Sequence, residues 1–245
     1  MKVSVVIPAY NEEKFIRKAL KSVTNQLVDA DEIIVINNNS SDKTVEITRS
    51  FSVRIIDEKK QGMISARNTG FDNAKYDIIA RIDADVQVPP DWIQRIKRNF
   101  EKKKIDALTG PLLLSDLKLV SKSILPSHIY LESLRAISKG NRYLMGPQMS
   151  LTNDIWKKVR DIVSLDDKKV HEDLDLSLKI TKVGGIIGYD RKLIVKGSAR
   201  RMKKHPESFF LEYPVRVVKT FIENKDTFKA ISKRSTKKAQ KLIFP

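Results

Sequence analysis

The 245-residue chain contains no cysteine. Disulfides, thiolate metal sites and cysteine nucleophiles are therefore excluded, and the composition fits a reducing compartment such as the cytoplasm. No run of about 18 apolar residues occurs, and the apolar stretch in the opening MKVSVVIPAY is too short for the central region of a signal peptide. We therefore expect a cytoplasmic protein that does not span a membrane by itself.

Glycine is scarce, with nine residues, and the turn after the first apolar run reads PAYNEE. A nicotinamide-dependent dehydrogenase would carry a Gly-x-Gly-x-x-Gly loop there. Acidic residues are outnumbered 30 to 47 by Lys and Arg, and the net charge of +17 indicates an anionic partner. Because no reader motif or basic stripe with stacking aromatics is evident, a nucleic-acid-binding protein is only a remote alternative and no nucleic acid partner is expected.

The first hundred residues alternate between two kinds of pattern. Segments with helical spacing cover residues 12–23, after a possible Asn11 cap, 42–51 and 64–74. Short apolar runs rich in β-branched residues predict strands at Val3 to Ile7, Glu32 to Ile36, Val53 to Ile56 and Ile78 to Ile82. This βαβαβαβ order predicts an α/β fold with a mostly parallel central sheet and helices on both faces, which binds ligands beyond the carboxyl ends of its strands.

Two carboxylates follow the fourth predicted strand in the stretch ARIDADVQVPPDW. If the strand continues, Asp83, Asp85 and Gln87 share one side of it, because extended residues two apart point the same way. Like charges this close require a cation or donors between them. Mg²⁺ and Mn²⁺ take such oxygen ligands and bridge them to phosphates, but an Asp-x-Asp pair can also merely cap a turn.

Several motifs in order give the chain its resemblance to glycosyltransferase family 2. They are VSVVIPAYNEE, VINNNSSDKT, GMISARNTG, RIDADVQVPPDW, MGPQMSLTNDIWKKV and HEDLDLSLKITKVGG, and they cover about residues 3 to 190. The resemblance implies a GT-A fold, a Rossmann-like sandwich, in an inverting transferase that uses nucleotide diphosphate sugars. We expect this domain over residues 1–197 and a basic, amphipathic helical extension over residues 198–245.

The resemblance also assigns site residues. Asp85, with Gln87 as a further candidate, would bind Mn²⁺ or Mg²⁺. Asp173 would be the general base and Glu172 would help to orient the acceptor, although acids in a first helical turn are also favoured by the helix dipole alone. The nucleotide-sugar site would be formed by Pro8, Ala9, Tyr10, Glu12, Asn37, Asn39, Gly62, Arg67, Asp83 and Ala84.

Two of these assignments have structural alternatives. Arg67 lies in the ARN stretch of the family and would be near the nucleotide, but it would pair with a neighbouring acid if its role is structural. Asn37 stands where the family usually has an aspartate that contacts the base. An amide can form hydrogen bonds with both the N–H donor and the carbonyl acceptor of uracil. A UDP-sugar is therefore weakly favoured, unless the three asparagines only form a left-handed turn.

The last 46 residues contain 13 Lys or Arg against four Asp or Glu, a net charge of +9. A basic amphipathic helix can lie on an anionic membrane, or it can pack its apolar stripe on the core. The sequence thus predicts a glycosyltransferase that acts on a lipid-linked or cell-envelope glycan. Its expected location is the cytoplasm, with the cytoplasmic face of a membrane as the alternative. A polyprenyl-phosphate sugar synthase is the alternative, but its acceptor is already an anion and needs no strong base, so HED favours a hydroxyl acceptor.

Overall fold

The computed structural model describes residues 1–116, 123–200, 203, 207 and 211–231. Its helices are α1 Ile16–Thr24, α2 Thr44–Arg49, α3 Met63–Asn73, α4 Trp92–Lys102, α5 Leu125–Ile137, α6 Asn153–Val159, α7 Glu172–Lys182 and α8 Tyr213–Glu223. Its strands are β1 Val3–Ala9, β2 Glu32–Asn37, β3 Arg54–Asp57, β4 Ile78–Ile82, β5 Ala107–Thr109, β6 Leu112–Leu114, β7 Gln148–Thr152, β8 Ile187–Tyr189 and β9 Val195–Gly197. Residues 225–231 are also helical.

Seven strands form one sheet in the order β3-β2-β1-β4-β7-β5-β8, with β7 antiparallel to both of its neighbours. A second sheet pairs β6 with β9 in parallel. Apolar clusters cover both faces of the large sheet, which explains why β1, β2 and β4 read as continuous apolar runs rather than as alternating ones. The predicted α/β class with a mostly parallel sheet is confirmed, as are the four predicted N-terminal strands.

One local prediction is wrong, and one apolar stretch is divided. Asn11 does not cap α1, because it has a left-handed φ of 53° and the helix begins only at Ile16, after a turn in which Phe15 N–H donates to Glu12 O. The stretch DALTGPLLL is two strands in different sheets, and the chain breaks between them at Gly110. A Cβ at Gly110 would lie 2.1 Å from the Leu193 carbonyl oxygen, so the two backbones meet there at a distance that only glycine allows.

The described part of the C-terminal region packs against the domain. Val217 and Phe221 of α8 contact a small apolar cluster that includes Leu174 of α7 and Leu134 of α5. No helix of the described residues is long and apolar enough to cross a membrane. Most of residues 201–210 and all of 232–245 lie outside the described residues, so the basic helices predicted there, and the boundary between residues 197 and 198, stay predictions.

Candidate active site

The carboxyl ends of β1, β2 and β4 meet at one edge of the sheet, where the sequence places its polar motifs. Pro8 is half-buried and Ala9 is buried at the end of β1, whereas Tyr10 is 52% exposed and stands free at this edge. Ala84 is buried in the apolar core, so its side chain faces away from the edge. Among the predicted nucleotide-sugar residues, Tyr10 is therefore accessible to a ligand, whereas Ala9 and Ala84 support the edge from within the core.

Asp83 and Asp85 do not share the face of one extended strand. β4 ends at Ile82, and Val86 N–H donates to the Asp83 carbonyl oxygen at 3.0 Å, which closes a turn around Ala84 and Asp85. Gln87 lies beyond this turn, is exposed, and pairs through its backbone with Lys196. The expectation of three side chains on one side is wrong, because the chain reverses its local direction directly after the strand.

Each aspartate is paired with its own arginine. The Arg81 guanidinium donates to Asp83 Oδ1 at 2.7 Å, and the Arg200 Nε lies 3.1 Å from Asp85 Oδ2. Burial raises the pKa of Asp83 to about 6, since Asp85 and Glu172 add to the effect of desolvation while Arg81 opposes it. Burial also raises the pKa of Asp85, again against the opposing charge of an arginine, here Arg200. The predicted positive charge beside the aspartates is thus present within the chain itself.

Arg81 connects this edge to the HED motif. Its second nitrogen donates to Glu172 Oε1 at 2.6 Å, and Arg67 donates to Glu172 Oε2 at 2.9 Å. Both arginine side chains are only 1% exposed. Arg67 therefore pairs with an acid in the interior, as its structural alternative predicts, and Glu172 bridges two buried guanidinium groups. The proposed role of Glu172 in orienting an acceptor stays a prediction.

Asp173 follows Glu172 and is held by three donors. Its Oδ2 accepts from the Gly146 backbone N–H at 2.7 Å, and its Oδ1 accepts from Leu174 N–H at 2.8 Å and contacts His171 Nδ1. Burial by itself would raise the pKa of Asp173, but the neighbouring His171, the Gly146 donor and Arg81 lower it below its usual value. The carboxylate is only 3% exposed and is ionised at neutral pH.

His171 is itself held in place from the C-terminal side. Its backbone N–H donates to Thr220 Oγ1 at 2.7 Å, and its ring packs edge-to-face on Tyr213 with centroids 4.4 Å apart. The ring Nε2 is buried and has no hydrogen-bond partner within the described part of the chain. Helix α8 therefore fixes the residue that orients the candidate base.

The asparagine motif at the end of β2 forms a loop and also lies at the edge of the sheet where the site is placed. Asn37 donates to Asp57 Oδ1 at 2.7 Å and accepts from Ser40 N–H, so both ends of its amide are engaged. Asn38 is buried and accepts from Gly62 N–H at 2.9 Å, while Asn39 adopts a left-handed φ of 62°. The left-handed turn is therefore present, and the contact of Asn37 with a base stays a prediction.

The metal prediction can be tested against the donor set. Among residues 1–116, 123–200 and the described positions beyond them, no group of three or more His, Asp or Glu side chains could hold a metal ion. Divalent cations in nucleotide enzymes, however, commonly use one or two carboxylates and complete their shell with phosphates and water. Asp85 and the buried Oε2 of Glu12, which has no partner in the described ranges, meet that smaller requirement, so the residues fit a metal that arrives with a substrate.

Four residues of this site were not predicted from the sequence: Asn38, Arg81, His171 and Arg200. Arg81 had a usable signal, because an arginine inside an apolar strand requires a buried counter-charge. For His171, the sequence gives no sign that its ring contacts Asp173. Arg200 lies 188 residues from Glu12 along the chain, and no local pattern connects them.

Comparison with known proteins supports these assignments at the level of family and fold. A family model described as Glycosyl transferase family 2 matches residues 4–149, more than half of the chain. Glycosyltransferase AglE of Haloferax volcanii is 35% identical over 116 residues, which cover 44% of this chain and 38% of AglE. The chain spans less than half the length of the curated relatives it matches first.

Two solved structures share the fold at 18% sequence identity. Mannosyltransferase PcManGT from Pyrobaculum calidifontis, in complex with GDP-Man and Mn²⁺, has a TM-score of 0.73 over 94% of this chain and 68% of its own. S. aureus TarS 1-349, in complex with UDP-GlcNAc, has a TM-score of 0.67 over 94% of this chain and 71% of its own.

Proposed function

The chain belongs to glycosyl transferase family 2 and has the GT-A fold, and from that premise we propose that it is an inverting, metal-dependent glycosyltransferase. It moves a sugar from a nucleotide diphosphate sugar to a hydroxyl group of a glycan or lipid-linked acceptor. One observation carries the proposal: Arg81 pairs both with Asp83 and with Glu172, the neighbour of Asp173. A single buried cation thus connects the donor edge with the candidate base, and such fixed positioning is what a displacement between two bound substrates requires.

On the donor side, Asp85 is the residue that would hold Mn²⁺ or Mg²⁺, with Glu12 beside it and Gln87 as a further candidate. The Mn²⁺ in the PcManGT complex supports a divalent metal. When bound, such an ion supplies positive charge that stabilises the departing diphosphate. Asp83, paired with Arg81, would accept hydrogen bonds from the ribose, and exposed Tyr10 would cover the base.

On the acceptor side, Asp173 would take the proton of the attacking hydroxyl. A carboxylate has about four acceptor positions, and donors from Gly146, Leu174 and His171 use three of them. One position therefore remains free to accept a hydrogen bond from the hydroxyl group of the acceptor substrate. Since the lowered pKa keeps Asp173 ionised at neutral pH, the group is ready to act as a base.

The donor nucleotide is proposed as a uridine nucleotide. TarS is solved with UDP-GlcNAc and PcManGT with GDP-Man, so both bases occur on this fold. The amide of Asn37 carries one donor and one acceptor, as recognition of uracil needs, although a bound base would have to replace its contact with Asp57 or Ser40. A thermal-shift comparison of UDP and GDP with Mn²⁺ tests this choice, because the nucleotide that binds the native state more tightly raises its stability more.

The alternative acceptor, a polyprenyl phosphate, is disfavoured by one feature of the site. Its phosphate would bring a second anion next to the buried carboxylate of Asp173, which is only 3% exposed. Replacing Asp173 also separates the two acceptors. A phosphate acceptor needs no base, so Asp173→Asn would retain transfer to a polyprenyl phosphate but would lose transfer to a hydroxyl.

The central experiment measures turnover and nucleotide binding in Asp173→Asn. We expect turnover of a UDP-sugar with Mn²⁺ to fall by about 10²–10⁴, since general bases typically contribute that much, while calorimetry shows UDP binding largely unchanged. Asp154→Asn is the matched control, because Asp154 is also an acid in a first helical turn but is exposed on α6. Equal turnover in Asp173→Asn and Asp154→Asn would remove the base from this mechanism.

We also propose that the protein contacts an anionic membrane surface through α8 and the basic residues that follow it. Four apolar side chains spaced as one helical face are 52–68% exposed, namely Leu211, Val215, Val218 and Ile222. Their helix also carries exposed Lys219, and the chain from Arg200 onward has a net charge of +9. An apolar stripe with a basic surround is the pattern of helices that lie in a membrane interface.

This surface faces away from the site that the same helix supports. Thr220 of α8 contacts His171, whereas Val218 is exposed. Val218→Asp should reduce co-flotation with vesicles containing anionic lipid, and Leu27→Asp is the matched control, because Leu27 is an exposed apolar residue in the loop after α1. Equal flotation of both variants contradicts the membrane contact. A dimer that only Val218→Asp abolishes would instead assign the stripe to a second copy of the chain.

A further inference from the structure

The site contains a cation of its own where the metal is proposed to bind. Arg200 places Nε 3.1 Å from Asp85 Oδ2 and donates through Nη2 to Glu12 Oε1. Its guanidinium also lies over the ring of Phe15, 4.6 Å from the ring centre. One arginine therefore holds both carboxylates that the metal would use.

The backbone that carries Arg200 is firmly anchored. Asp116 accepts from Ala199 N–H at 2.6 Å and from Lys203 Nζ at 3.2 Å, and β9, which ends three residues before Arg200, pairs with β6. Ser115 N–H donates to the Gly197 carbonyl oxygen at 3.0 Å. Because the main chain directly before Arg200 is held by these contacts, the guanidinium can leave Asp85 by rotation of its side chain without movement of the sheet.

The two carboxylates are not fully satisfied by Arg200. Glu12 Oε2 is buried and has no hydrogen-bond partner among the residues that the structure describes. A group with more positive charge, or with more open coordination positions, would satisfy the pair better than the guanidinium does.

From these contacts we infer that Arg200 acts as an internal competitor of the metal: it occupies Asp85 and Glu12 in the ligand-free protein and gives way when a nucleotide diphosphate arrives together with the cation. The inference rests on the proposed function. A guanidinium and a divalent ion repel each other and cannot share the same carboxylate oxygens, whereas a diphosphate supplies a new anionic partner for the released arginine. Metal and nucleotide therefore bind cooperatively, each strengthening the other by the same factor.

The test measures Mn²⁺ binding by the loss of the free-ion signal in electron paramagnetic resonance, with and without UDP or GDP. We expect Arg200→Gln to bind Mn²⁺ alone at least about tenfold more tightly than the unmodified protein, and to gain less from the nucleotide by the same factor, because the release of Arg200 no longer contributes. Lys203→Gln is the matched control, because it also removes one positive charge from this segment but contacts Asp116 rather than Asp85. Arg200→Lys, which keeps the charge but not the planar fork, should lie between the two.

The outcomes separate the inference from the proposed function. If Mn²⁺ binds with the nucleotide but Arg200→Gln behaves like Lys203→Gln, the competition is wrong and the metal site stands. If no variant binds Mn²⁺ even with UDP or GDP, both the metal site and the competition are overturned. Adding Asp85→Asn to Arg200→Gln should abolish the gain, and a gain that survives would show that the ion binds elsewhere.

Discussion

Replacing Glu172 by Gln should destabilise the protein more strongly than most single substitutions. The change removes the charge that Arg67 and Arg81 share, with N–O distances of 2.9 and 2.6 Å, while both arginines stay buried at 1% exposure. Among the described residues, Arg81 keeps the charge of Asp83, whereas Arg67 is left with neutral acceptors, namely the Asn68 amide oxygen, the backbone carbonyl oxygen of residue 172 and the amide oxygen of the new glutamine. Removing one partner of a buried ion pair typically costs about 3–5 kcal/mol, because the remaining charge is left desolvated and uncompensated.

The loss can be measured by urea unfolding and by heating. For a domain of this size each kcal/mol shifts the Tm by about 2–4 °C, so a shift of about 6–20 °C is expected. Glu132→Gln is the matched control, because Glu132 also pairs with two arginines, Arg135 and Arg142, but its side chain is 34% exposed. Exposed pairs contribute about 0–1 kcal/mol.

A double substitution tests the cause of the loss. Arg67→Met alone removes one of the two guanidinium groups, and Glu172→Gln with Arg67→Met leaves only one buried cation to compensate. The double variant should therefore be more stable than the sum of the single changes predicts. If Glu172→Gln costs no more than Glu132→Gln, or if the two changes at Glu172 and Arg67 are additive, the buried network does not stabilise the fold as argued.

Two further predictions concern His171 and Gly62. Burial alone would lower the pKa of His171, but Asp173 and Glu172 raise it, against the smaller effect of Arg216. Because its pKa is raised, protonated His171 stabilises the fold below the unfolded value of about 6.5, and this stabilisation is lost as the pH rises above the folded value. His171→Asn should therefore cost more stability at pH 6 than at pH 9 in urea unfolding. A gap that widens with pH contradicts this sign. Gly62→Ala should lower the Tm more than Gly184→Ala, because both have positive φ but only at Gly62 would the new Cβ meet Asp167 Oδ2, 2.3 Å away; equal losses would assign the cost to backbone strain alone.

The sequence predicted those parts of the fold that follow from repeating patterns. β1, β2 and β4 are nearly continuous apolar runs, and burial on both faces of a parallel sheet requires that pattern. The wrong placement of Asp83 and Asp85 has a different cause. A single backbone hydrogen bond, from Val86 N–H to Asp83 O, ends the period of two, and no periodic signal reports such a turn.

The parts of the site that could not be predicted are contacts between distant segments. Asp173 was named as the base, but its Gly146 donor lies 27 residues away along the chain, and Thr220 of α8, which holds His171, lies 49 residues from His171. Arg200 belongs to the segment that was predicted to be an extension, yet it contacts Asp85. A sequence pattern assigns residue types to an element, whereas these contacts depend on where the elements pack.

Arg81 and Arg200 give the two aspartates different tasks. Arg81 is buried and holds Asp83 and Glu172 together, so the carboxylate of Asp83 is fixed and is poorly suited to exchange partners. Arg200 is about a third exposed and shares its charge between Asp85 and Glu12, so its guanidinium is already partly hydrated and can leave when another cation replaces it. The ion pair of Arg81 with Asp83 therefore fixes the geometry of the site, whereas the ion pair of Arg200 with Asp85 can open when a ligand binds. A cation is for this reason expected to replace Arg200 and not Arg81.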